Sequence, residues 1–250
     1  VSSSTTPSSQ PIILPVLGSR ESYTINPGKI IAVGLNYRDH VKESLTFNNE
    51  DLDAPAEPVL FAKTPNVLVG PGQPIIIPEY LTEYHPNPRT DYEAELAIII
   101  GQPCSRLPSE EAREAIFGFT CFNDVSQRNI QKSDPSGWFR GKSLDSFGPI
   151  GPAVATLEYL ASQNLDPQNL AIAARLNGRT VQSSNTKHMI FTLEHIISFI
   201  SRHIRLEPGD IIATGTPSGI GALNPGDTIE IEIQGIGTLS NPVDGPLRSA

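Results

Sequence analysis

Two acidic side chains stand two residues apart in Asp91-Tyr92-Glu93-Ala94-Glu95-Leu96-Ala97-Ile98-Ile99-Ile100-Gly101, at the head of an apolar run. The run reads as a buried strand, and in a strand residues i and i+2 project from one face. Glu93 and Glu95 are therefore expected side by side, next to Ile98, Ile99 and Ile100. Adjacent carboxylates repel unless they share a proton or hold a cation between them. A third acid, Asp124, follows the mostly apolar Phe119-Thr120-Cys121-Phe122. Three carboxylates without a His/Cys cluster amount to hard-oxygen chemistry. That suits Mg²⁺ or Mn²⁺, with Ca²⁺ as a further option, rather than Zn²⁺ or copper. Spacing alone does not decide the matter. The same Glu-x-Glu recurs at Glu230 and Glu232, in an alternating segment whose acids fit a solvated face.

Four other constellations carry candidate chemistry. A helix starting after Asp124 would put Arg128 and Gln131 on one face. An Arg there can clamp a carboxylate bidentately, although an N-capping Asp before an ordinary polar helix has the same pattern. His40 and Glu43, three apart on a short helix over 36–44, form either an exposed ion pair or a general base whose tautomer the carboxylate fixes. Lys142 lies in Gly137-Trp138-Phe139-Arg140-Gly141-Lys142-Ser143, which has three residues between its glycines where a phosphate-binding P-loop needs four. No strand leads into it, so nucleotide binding is excluded and Lys142 stands as a cation among small residues. Finally, Thr214-Gly215-Thr216-Pro217-Ser218-Gly219 follows a strand without the spacing of a nucleophile elbow. Its Gly-Thr turn can offer a backbone N–H and the Thr216 hydroxyl to a carboxylate, or be a plain tight turn.

The elements that must position these groups are short. The 250 residues suffice for one large domain or two small ones, and 38% hydrophobic content supplies a sizeable core. Abundant proline (23 residues) favours short strands and shaped loops over a helical bundle. Strands are expected at 29–34, 59–62, 74–77, 119–122, 170–176, 210–214 and 228–233, and helices at 109–117 and 192–206. Many strands with few helices imply a β-rich α+β fold. Residues 1–27, rich in Ser, Thr and Pro, read as a mobile polar segment preceding a catalytic domain over 28–250.

Charge and composition bound the partners. With 18 basic and 27 acidic residues the net charge is -9. This argues against nucleic acid or an anionic membrane, though not against an anionic substrate beside a bound cation. No run of 18 apolar residues offers a membrane span, and the first residues lack the pattern of a signal peptide. Cys104 and Cys121 suggest no disulfide framework. A cytoplasmic or organelle-matrix location is expected.

Taken together, the pieces resemble the fumarylacetoacetate hydrolase family. The matching stretches are Ile31 to His40, Asp91 to Gly101, Asn123 to Gln131, Gly141-Lys142-Ser143 with Gly148-Pro149-Ile150-Gly151-Pro152, Met189-Ile190-Phe191 and Asp210 to Gly221. They occur in the family's order and cover nearly everything after about residue 28. The resemblance implies a β-rich mixed-sheet roll, usually homodimeric, with metal ligation by Glu93, Glu95 and Asp124. It implies a catalytic His40–Glu43 pair on a mobile lid, and a catalytic Lys142. Substrate contacts fall on Arg128, Gln131, Thr216 and Lys63. The implied reaction is metal-dependent hydrolysis of a C–C bond in an acylpyruvate-type 2-oxo acid. Decarboxylation of oxaloacetate, isomerisation of an unsaturated oxo-diacid and a catalytically silent binding protein are the alternatives. Asn129, where many relatives carry an acid, and Lys187-His188 before Met189 depart from the family pattern and bear on substrate choice.

Overall fold

The computed structural model describes residues 10–41, 54–136 and 138–245. A seven-stranded mixed sheet forms the centre, in the order Val59–Lys63, Ile30–Gly34, Ile211–Ala213, Ala94–Ile100, Ile116–Asn123, Gly148–Ala155, Leu68–Val69. The 30–34/211–213 and 148–155/68–69 pairs are parallel and the other pairs antiparallel. A second, five-stranded sheet runs Arg179–Asn185, Ala171–Leu176, Thr228–Ile233, Gly237–Asp244, Ile75–Ile76. The architecture is α+β and strand-rich, with few helices.

Ala94–Ile100 is buried along its whole length because both faces of the central sheet are covered. Leu96, Ile98 and Ile100 enter the core shared with the second sheet, where they join Ile172, Ile229, Ile231 and Ile233. Ala97 and Ile99 point the other way, into a cluster with Phe61, Phe122 and Val154. Strand parity places Glu95 on this second side. In Thr228–Ile233 the alternation behaves as expected, with the three isoleucines at 1% exposure and Glu230 and Glu232 outside the core.

Several expectations need correction. The 91–101 run is two strands, Thr90–Tyr92 and Ala94–Ile100, broken at Glu93. The break follows from two bonds to the neighbouring strand end: Glu93 N–H donates to Asn123 Oδ1 and Asp124 N–H to the Glu93 carbonyl, each at 2.9 Å. Within the segment read as mobile, Ile12–Pro15 and Ser22–Ile25 form an antiparallel hairpin. It buries Leu14 and Ile25 and docks on Val154 through Val16 and Leu17. The helix expected at 109–117 is a 3₁₀ turn, Ser109–Ala115, preceded by Pro108 rather than capped by Ser109. The helix expected to Leu206 ends at His203, with Thr192 Oγ1 capping its start and Ile204 exposed. Cys104 and Cys121 are buried free thiols, and no helix among the described residues is long and apolar enough to cross a membrane.

Candidate metal centre

The strand break at Glu93, the buried Glu95 and the strand end at Asn123–Asp124 bring three carboxylates together. Ligand oxygens of Glu93, Glu95 and Asp124 all lie within 4.8 Å of one another, in buried surroundings. They face a cavity of about 320 Å³ whose wall also includes His40, Arg128, Gln131, Lys142 and Thr216. The structure thus gathers eight of the ten sequence-derived site residues around one space. Glu43 lies outside the described residues. Lys63 is fully buried behind the wall, where Nζ lies 2.6 Å from Asp124 Oδ1 and 3.3 Å from the Val125 carbonyl. Lys63 is not among the residues lining this cavity, and its Nζ pairs with Asp124.

Each remaining group has a local reason for its position. His40 sits on the helical turn at 38–41, 7% exposed. Asn36 pins the base of that turn, donating to the Thr214 and Phe191 carbonyls and accepting from Phe191 N–H. Arg128 opens the helix Arg128–Ser133, which Gln127 caps through its side chain; Asp124 is not the cap. Arg128 Nε donates to Asp91 Oδ2 at 2.8 Å, Nη1 donates to Gln131 Oε1 at 2.9 Å, and Nη2 lies 2.6 Å from Glu93 Oε1. That last contact is close but poorly aligned as a hydrogen bond, so we read it as charge pairing. Lys142 ends the turn Phe139–Lys142, which leans on the 128–133 helix at Gly141. A Cβ on Gly141 would lie 2.7 Å from Gln131 N. The turn starts from Trp138 in a left-handed conformation (φ 70°), a strained backbone state for a bulky residue.

Electrostatics divide the carboxylates. Lys142 Nζ bridges Glu93 Oε2 (2.9 Å) and Asp124 Oδ2 (2.5 Å), and Ser126 Oγ donates to Glu93 Oε1. Burial alone would raise the Glu93 pKa. Lys142, then Arg128 and His40, outweigh it and hold the acid below the usual carboxylate range. For Lys142, burial is outweighed by Asp124 and Glu93, so its ammonium is stabilised. Lys63 goes the other way: burial, helped by Lys142, outweighs Asp124 and lowers it. Among the described residues Glu95 receives a single hydrogen bond, from Gly215 N–H at 2.8 Å. Burial, then the charges of Asp124 and Glu93, push its pKa well above the usual range.

This donor set fits a hard divalent cation. Lys142 compensates one edge of the triad and leaves Glu95, the least compensated acid, on the other. A cation beside Glu95 relieves both its burial and the repulsion. Nearby, the buried Tyr37 hydroxyl has no hydrogen-bond partner among the described residues, and burial together with Glu95 raises its pKa.

Sequence reasoning missed several wall residues. Asp91 is buried and receives both Arg89 and Arg128, so it orients the guanidinium rather than a ligand. Its only signal was a charge at the head of an apolar run. Val33, Leu35, Phe61, Trp138 and Ile220 make an apolar side. Phe61 meets Trp138 edge-on at 5.4 Å and carries Lys142 Nζ 5.0 Å from its ring centre.

Comparison with known proteins gives a consistent picture. A sequence family described as "Fumarylacetoacetate (FAA) hydrolase C-terminal" matches residues 29–244. An uncharacterized protein of Archaeoglobus fulgidus is 43% identical over 215 residues, covering 86% of this chain and 78% of its own. The mitochondrial oxaloacetate tautomerase fahd2 of Xenopus laevis is 40% identical over 226 residues, covering 87% of this chain and 66% of its own. Among solved structures, fumarylpyruvate hydrolase from Pseudomonas aeruginosa in complex with Mn²⁺ and pyruvate superposes with a TM-score of 0.80 at 28% identity. That match spans 94% of this chain and 97% of the other. A 2-hydroxyhepta-2,4-diene-1,7-dioate isomerase from Mycobacterium marinum gives a TM-score of 0.74 at 37% identity, over 90% and 78% of the two chains.

Proposed function

The chain belongs to the fumarylacetoacetate hydrolase family, and from that premise we propose that it is a divalent-metal-dependent enzyme acting on a 2-oxo acid through its enolate. The preferred reaction is hydrolysis of the C–C bond of an acylpyruvate. One observation carries the reading: three buried carboxylates converge in a cavity that also presents Lys142, Arg128 and His40. Glu93, Glu95 and Asp124 are the residues to hold the ion. When bound there, Mg²⁺ or Mn²⁺ supplies Lewis acidity to the vicinal oxygens of the 2-oxo acid.

The side chains provide the rest. Arg128, Gln131 and Thr216 orient the substrate's polar end, and the apolar side receives its acyl part. His40 takes a proton from water as the oxygen adds to the distal carbonyl. The bond between that carbonyl and the next carbon then breaks. Its electron pair passes into a pyruvate enolate whose charge Lys142 stabilises, and a carboxylate is released. Protonation of the enolate carbon gives pyruvate.

A second reading is tautomerisation of oxaloacetate, favoured by the 40% identity to a relative bearing that name. It uses the same enolate, with His40 moving a proton at carbon 3 and no water attack. The test assays wild type and His40→Ala, with Mn²⁺ or Mg²⁺, on an acylpyruvate and on oxaloacetate. Oxaloacetate is followed both for enol content and for CO₂ release. Acylpyruvate turnover lost in His40→Ala supports hydrolysis. Enol–keto exchange alone supports the tautomerase, and CO₂ release alone a decarboxylase. No turnover of any 2-oxo acid would contradict the whole proposal.

A further inference from the structure

Gln182 is the one fully buried residue of its strand, Arg179–Asn185, at 1% exposure. A buried amide at an edge-strand position is costly unless its polar atoms are used, and here both are. Oε1 accepts from Ala94 N–H at 3.0 Å, while Nε2 donates to the Pro217 carbonyl at 2.8 Å and to Thr216 Oγ1 at 2.9 Å. The backbone partners leave no freedom to exchange the amide's ends, because Ala94 N–H can only donate and the Pro217 carbonyl can only accept. Gln182 is therefore a donor to Thr216.

That has a consequence for Thr216, which is 2% exposed and lines the cavity. A hydroxyl has one proton and two acceptor sites. With one acceptor site taken by Gln182, which cannot accept the hydroxyl proton at that end, that proton stays available to face the cavity as a donor. The same amide ties Ala94, the residue between Glu93 and Glu95, to the 214–217 turn, whose Gly215 N–H already binds Glu95 Oε2. From this geometry we infer that Gln182 is a positioning residue. It occupies an acceptor site of Thr216 and leaves the hydroxyl proton uncommitted, so that the site can present a hydrogen-bond donor to an anionic oxygen of the ligand. The inference rests on the proposed reading of the cavity as a metal-dependent 2-oxo acid site, and it adds the residue that selects the charged oxygen.

The test measures Mn²⁺ affinity and, on the Mn²⁺-loaded protein, the affinity for oxalate, a dianion with vicinal oxygens. Wild type, Gln182→Met, Thr216→Val and the double variant are titrated calorimetrically. Thr216→Val should weaken oxalate binding about tenfold or more, the worth of a hydrogen bond to a charged group. Gln182→Met should do the same, and the double variant should lose no more than either single one. Mn²⁺ affinity should stay within about threefold throughout, which separates positioning of Thr216 from general damage through Ala94. If Gln182→Met does not fold, Gln182→Glu replaces it. Opposite the Pro217 carbonyl its carboxyl keeps its proton and donates it there, the Ala94 bond is kept, and the Thr216 hydroxyl meets a lone pair that draws its proton back, so the same tenfold loss and the same non-additivity are expected. Additive losses, unchanged oxalate affinity, or Mn²⁺ affinity falling in parallel would overturn the inference. A wild-type protein that binds Mn²⁺ but no oxalate, or no Mn²⁺ at all, overturns the metal-site reading along with it.

Discussion

Lys63 Nζ lies 2.6 Å from Asp124 Oδ1 with both side chains fully excluded from solvent. A buried ion pair contributes little net stability over an apolar pair, but removing one partner strands the other charge. Lys63→Met should therefore destabilise the fold by about 3 kcal/mol in urea unfolding, and should weaken Mn²⁺ binding by loosening Asp124. A loss below about 1 kcal/mol would mean that Lys142 alone satisfies Asp124.

Glu95 has the opposite relation to stability. Its pKa is pushed up by burial and by two neighbouring acids, with one backbone N–H in compensation. Glu95→Gln removes the charge at nearly constant shape. It should raise the melting temperature of the metal-free protein by a few degrees, as expected of a strained functional group. The same variant should lose the stabilisation that saturating Mn²⁺ confers on wild type. A metal-free Glu95→Gln that melts lower than wild type would show that the acid is structurally needed.

Gly141 is where the Lys142 turn touches the Arg128 helix, and an added Cβ would meet Gln131 N and Cα at 2.7 and 2.8 Å. Backbone on both sides leaves no flexible end to move aside. Gly141→Ala should cost about 1–3 kcal/mol from overpacking and lower turnover by displacing Lys142 from Glu93 and Asp124. Wild-type turnover together with wild-type stability would refute the close approach.

Burial raises the Cys121 thiol well above its ordinary pKa. A folded-state pKa above the unfolded one contributes stability that is complete below the unfolded pKa and lost as pH rises beyond it. From about pH 8.5 upward the unfolded chain sheds this proton and the native one keeps it. Wild-type stability should thus fall more steeply than that of Cys121→Ala, by about 1.4 kcal/mol per pH unit between pH ~9 and ~10. Parallel pH profiles would show that the thiol ionises equally in both states.

The acidic triad was legible because acids at the head of an apolar run and after an apolar strand conflict with burial, and that conflict points to a function. The break at Glu93 was not legible. It depends on bonds to Asn123 and Asp124, thirty residues away, which no local pattern encodes. Lys63 was expected at the substrate only through the resemblance, and its pairing with Asp124, 61 residues on, has no local signal. Gln182 was hidden in Arg179-Thr180-Val181-Gln182-Ser183-Ser184-Asn185, where one more polar residue carries no signal. The 12–25 hairpin was masked by its polar neighbours, although Leu14, Val16 and Ile25 are buried. Fold class survived these misses because alternation such as that of Thr228–Ile233 is a property of the strand itself.

In the proposed reading Glu93, Glu95 and Asp124 form one divalent-metal site on which turnover of a 2-oxo acid depends. Chelator-treated protein titrated with Mn²⁺, with bound ion and acylpyruvate and oxaloacetate turnover measured in the same samples, tests it directly. Wild type should bind one ion per chain and gain activity in proportion to occupancy, while Glu95→Gln should bind at least tenfold more weakly and recover activity only at correspondingly higher Mn²⁺. Full activity in the chelated protein, or Mn²⁺ binding unaltered in Glu95→Gln, would contradict the account.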